Sequence, residues 1–118
     1  MSTEDIDVSQ EAVTAAEVTI YTAPTASNFK SAKITGGLCS NASATNTELT
    51  MWVVQFGETT ALTNRYFPSK VVFANEVDLL TSIAGAGITL KSGDFIVTQG
   101  SIAGNLNVKL SIVEKYSD

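Results

Sequence analysis

Histidine is absent from all 118 residues. That removes the usual general base near neutral pH, the usual member of a nucleophilic triad and the usual transition-metal ligand. Cysteine is nearly as scarce: Cys39 stands alone and closes no internal disulfide. A fold without covalent staples suits folding in the cytoplasm. The N-terminus, Met1-Ser2-Thr3-Glu4-Asp5, is acidic where a secretory signal is basic and then apolar. No run approaches the roughly 18–20 consecutive apolar residues of a membrane-spanning helix, so neither export nor a membrane is expected.

An excess of basic charge is missing too. Residues 1–17 carry Glu4, Asp5, Asp7, Glu11 and Glu17 with no Lys or Arg, whereas residues 18–118 balance seven acids against seven bases. The whole net charge of −5 therefore belongs to the N-terminal segment. A body of zero net charge lacks the clustered Lys and Arg that phosphates attract, so nucleic acid is not an expected partner.

Chemistry-bearing patterns are equally thin. Cys39 follows Leu38 in an apolar stretch and has no histidine beside it, so it reads as a small buried residue, not a nucleophile. Glu76 and Asp78 lie two apart but lack the Asp/Asn-rich loop that calcium favours. Gly36-Gly37 and Gly85-Ala86-Gly87 match neither the P-loop nor the dinucleotide fingerprint and read as strand punctuation. Asn41-Ala42-Ser43 fits a glycosylation sequon, a motif that means little without export. No catalytic residue, cofactor, metal ligand or small-molecule substrate is expected.

What the chain does contain is period-two alternation. From Met1 to Ala16 it is polar and acidic, with Ile6, Val8 and Val13 as isolated apolar residues. This reads as a flexible N-terminal arm (1–16) ahead of a β-sandwich domain (17–118): either a loose terminus, or a segment that orders on a neighbouring subunit with those three residues as interface anchors. Val18 to Thr22 alternates and stops at Pro24. Phe29 to Thr35 predicts a second strand, interrupted by Gly36-Gly37 as by a bulge or bend. Glu48 to Phe56 places Leu49, Met51 and Val53 on one face and Thr50, Trp52, Val54 and Phe56 on the other, so both faces are apolar.

Arg65 to Ala74 contains Pro68, the mark of an edge or a break. Val77, Leu80 and Ile83 fall three apart, which fits a short helix or a strand with a bend. Leu90 to Phe95 predicts a tight turn with Gly93 at positive φ, followed by a strand to Gln99. Leu106, Val108, Leu110 and Ile112 alternate most cleanly of all. Short strands at roughly ten-residue spacing predict an all-β antiparallel sandwich, jelly-roll-like. Trp52 and Tyr66 are candidate exposed aromatics, either at an interface or as a stacking platform for sugars.

Taken together, Val18 to Pro24, the Cys39 to Ala44 loop, Leu49 to Val54, Leu90 to Phe95 and Ile102 to Val108 resemble small β-sandwich virion proteins of tailed bacteriophages, most of all capsid decoration (cement) proteins. The resemblance implies a non-enzymatic virion protein on the capsid exterior. It would bind the major capsid protein lattice through multivalent contacts, as a homotrimer. A neck, tail or baseplate protein and a carbohydrate-binding or adhesion module are the alternatives.

Overall fold

The computed structural model describes residues 2–10, 12–80 and 87–117. Its strands are β1 (Ser2–Gln10), β2 (Val18–Thr22), β3 (Phe29–Asn41), β4 (Thr47–Val54), β5 (Arg65–Val72), β6 (Val77–Asp78), β7 (Thr89–Leu90), β8 (Phe95–Gly100) and β9 (Leu106–Tyr116), with a 3-10 turn over Leu62–Asn64. They form two antiparallel sheets. One has the order β1-β9-β3-β6, with β7 also on β3, and the other has the order β2-β8-β4-β5. Because β6 and β7 share β3 as partner, they fill one position between them. The chain then passes between the layers as a jelly roll does, in agreement with the expected sandwich.

The alternation of β9 explains how the layers close. Leu106, Val108, Leu110 and Ile112 all point inward and are buried, as are Ala32, Ile34 and Cys39 from β3. From the facing sheet, Leu49, Met51 and Ile96 complete a continuous core with them. Gly36-Gly37 is the expected irregularity: the register of β3 on β9 shifts between Ile34 and Gly36. A Cβ on Gly37 would lie 2.7 Å from Leu110 Cδ2, so glycine lets β9 pack at the kink.

Residues 1–16 do not behave as a flexible arm over their described part. Residues 2–10 are strand β1, paired with β9 through nine consecutive residue pairs. Ile6 and Val8 are half-buried against the core, and Val13 is wholly buried within it. All three anchors thus serve their own chain. The strand signal was weak because only two apolar residues alternate there, and an edge strand needs no more. Of the Val77 to Ile83 segment, Val77–Asp78 form β6 and Leu80 turns at φ 46°, while Ile83 lies outside the described residues. Pro68 sits on β5, which is an edge strand as its proline predicts.

Gly93 takes φ 83° in the turn entering β8. Its bare Cα face lies against Phe56, whose Cδ2 would be 2.6 Å from an added Cβ. Asp94 ties the turn to the β4 exit, since its carboxylate accepts from Phe56 N–H at 2.9 Å and from Lys91 N–H at 2.8 Å. Gly93→Ala is expected to destabilise the protein by about 1–2 kcal/mol through the left-handed backbone alone, read as a lower urea midpoint with an unchanged slope.

Candidate functional site

Among the side chains that combine polarity with burial or apolarity with exposure, three groups stand out. The first is inside the sandwich. Glu114 continues the inward row of β9 and is buried, which is costly for a carboxylate unless its oxygens are satisfied. Tyr21 of β2 donates its hydroxyl to Oε2 at 2.6 Å, and Tyr116 donates to Oε1 at 2.7 Å. The Tyr21 bond crosses from one sheet to the other, and Tyr116 is held in turn edge-to-face on Phe29, 5.6 Å between centroids. Burial, followed by the hydrogen bond to Glu114, pushes the Tyr21 hydroxyl far above the ordinary phenol range. The hydrogen bond to Glu114 pushes Tyr116 up to about 12. With each carboxylate oxygen accepting a hydrogen bond from a phenol, the arrangement acts as a clamp between the layers.

The second place is the end of β3 and the turn after it, Cys39 to Ala44. Asn41 is 1% exposed, and its amide donates to Thr45 O at 2.8 Å and Val72 O at 3.0 Å. Its Oδ1 accepts from Ser43 N–H and from the Ser43 hydroxyl. The sequon is therefore a latch between β3 and β5, with its amide committed inside the protein. Cys39 is fully buried, and desolvation followed by the Asp78 carboxylate pushes its thiol up to about 12. Among the described residues, no three His, Cys, Asp or Glu side chains gather to hold a metal ion.

The third place is the edge where the chain passes from β5 to β6. Val72 and Leu80 point inward, so their neighbours point out: Val71 is 38% exposed, Phe73 57%, Val77 57% and Leu79 65%. A turn from Phe73 to Glu76, closed by Glu76 N–H to Phe73 O at 3.2 Å, brings the two pairs around one corner. Beneath them, Lys70 and Asp78 form an ion pair at 3.4 Å that joins the sheets. This corner escaped the sequence reading, because alternation shows two faces but not which one a neighbouring layer covers.

Trp52 is not an exposed aromatic. It is 6% exposed and packs with Val54, Val97 and Phe95 on the outer face of the β2-β8-β4-β5 sheet. Trp52 and Val97 are cross-strand partners. The loop after β4 returns across this face, with the Thr60 hydroxyl donating to Glu17 just before β2. Tyr66 is half-buried against the main core. The structure brings neither together with Ile6, Val8 or Val13 as one surface.

No family model matches the chain, and no curated protein does. Among solved structures it is similar to one from Bacillus endospore appendages, described as forming a novel family of disulfide-linked pili. The TM-score is 0.57 at 14% identity, over 99% of this chain and 88% of that chain. The likeness concerns the fold.

The clamp favours neutral phenols in the folded state, so its contribution is complete below the unfolded tyrosine value of about 10 and is lost as pH rises through the higher folded values. Alkaline unfolding is expected to begin above that point. Ultraviolet titration of Glu114→Gln should show tyrosines ionising closer to their ordinary range. Tyr21→Phe should cost about 1–3 kcal/mol in urea denaturation, since it strips one partner from a buried carboxylate. An aromatic disulfide reagent should leave Cys39 unmodified in the native protein and label it fully once the chain is unfolded.

Proposed function

We propose that this chain is a non-enzymatic structural subunit that works in many copies, as a decoration protein on the outside of a bacteriophage head shell. The observation that carries the reading is the β5–β6 corner. Val71, Phe73, Val77 and Leu79 are exposed on either side of the turn from β5 to β6, and exposed apolar side chains grouped this way fit a protein partner. Each contact is small, but a lattice offers many, and avidity makes a modest patch sufficient. The resemblance to cement proteins supplies the partner, the major capsid protein, and a homotrimeric state that light scattering would count.

A fibre subunit is the second reading, favoured by the likeness to the endospore pilus protein over almost the whole chain. Within these 118 residues, a disulfide link of the kind named for those pili would have to use Cys39, which is buried. The sugar-binding alternative loses Trp52 as a stacking residue, since that ring is covered.

Deleting residues 2–16 would remove a strand and the core residue Val13, so surface variants are the better probe. Wild-type protein is expected to co-sediment with purified expanded head shells and to appear as regular projections by electron microscopy. Phe73→Ser/Leu79→Ser should lower that binding at least tenfold while leaving the urea midpoint nearly unchanged. Undiminished binding would sink the role of the corner. Filaments grown from the purified chain alone would favour the fibre reading.

A further inference from the structure

We propose that β1 is an exchangeable strand, able to leave its own β9 and add to the β9 of a second copy of this chain. The inference stands whether the copies sit on a shell or in a fibre. Ala12, just beyond β1, is held at φ 53°. A residue with a Cβ resists that left-handed conformation. The position is kept by its exposed N–H, which donates to Asn107 Oδ1 at 2.9 Å. Strain of this kind in a short connection is relieved when the strand beyond it opens away, which is the usual route to strand swapping.

The two sides of Ala12 are held very differently. On the far side, Val13 is buried, with its N–H bonded to Leu106 O at 2.8 Å and its carbonyl accepting from Gly104 N–H at 3.0 Å. Gly100 N–H bonds to Thr14 O at 2.9 Å, so the chain after the hinge is fastened to the body. On the near side, β1 lies at the sheet edge. Of its nine residues only Ile6, Val8 and Gln10 are even half-buried. Gln10 accepts from the Thr98 hydroxyl, a tie to the opposite layer, and the ladder otherwise runs to β9 alone. The hinge can therefore turn, and the edge strand depart, while the rest of the core stays closed.

A second copy is the occupant that this gap fits, because every pairing that β1 makes with β9 can be remade in trans without change. Nine register pairs run from Ser2–Tyr116 to Gln10–Val108 with no bulge. On the outer face, exposed Asp5 and Asp7 of β1 lie beside a β9 that carries Lys109 and Lys115, so charge as well as shape selects the same strand. Exchange adds no new contact. It trades a strained Ala12 for a relaxed linker and joins two sandwiches.

Ser9 and Lys109 face each other across the β1–β9 ladder and are exposed, so their Cβ atoms lie about 4.5–5.5 Å apart. Ser9→Cys and Lys109→Cys chains are unfolded, mixed at high concentration, refolded and treated with a short thiol cross-linker. The heterotypic covalent dimer is expected to exceed either homotypic dimer severalfold. Adding Ala12→Gly to one of the two chains should lower that yield roughly fivefold, the equilibrium factor that matches release of left-handed strain at one residue. A single chain carrying both cysteines should cross-link internally when refolded dilute. Homotypic and heterotypic dimers in equal amount, or no dimer, would overturn the exchange, and failure of the internal link would overturn the register on which it rests.

Discussion

The pairing of β9 with both of its neighbours is the constraint on which the rest of the molecule hangs. β1 lies along one side over nine pairs, and β3 lies along the other over a longer register interrupted twice. Its inward row, Leu106 to Ile112, supplies the middle of the core. Such a strand tolerates little variation: a slip of one residue would send every one of those apolar side chains to the outer face. Gly37, the register shifts in β3 and the buried end at Glu114 are all adjustments to keeping this strand central.

Glu114 shows how the same row ends. A carboxylate replaces the next apolar residue, and two phenols make it tolerable by donating one hydrogen bond to each oxygen. Replacing such a group with a well-packed apolar residue often stabilises a protein, so its value lies more in specifying one closed arrangement than in strength. Tyr21 can reach Glu114 only when β2 lies over β9 at the correct height. The clamp therefore selects the relative position of the two layers.

The two open sides of the sandwich differ in kind. The β5–β6 side presents apolar side chains on a turn fastened by the Asn41 latch and the Lys70–Asp78 pair. That rigidity suits docking, because little is left to order on contact. The β1–β2 side presents backbone, with a strand held mainly by its ladder and joined through a strained residue. One side is built to be covered and the other to be remade, and a subunit that must both attach and associate has use for each.

Strand alternation, the turn at Gly93, the break at Gly36-Gly37 and the edge at Pro68 were all legible from local pattern, because each depends on a residue's own backbone preference or on its immediate neighbours. Glu114 lies in phase with Leu106 to Ile112, but neither its burial nor its partners Tyr21 and Tyr116 follow from local pattern. Local pattern also missed the state of Ile6, Val8 and Val13, since the same spacing serves an arm on a neighbour and a strand on its own sheet. By alternation Trp52 lies on the face opposite Leu49, Met51 and Val53, whereas Phe73 ends the apolar run Val71-Val72-Phe73, which by itself suggests burial. Only the path of the loop after β4 covers Trp52 and leaves Phe73 bare. What the sequence by itself determined was which residues share a face, through stereochemistry that acts over one or two positions. Which faces are covered was decided by contacts between residues far apart in the chain, and that is a property of the tertiary structure alone.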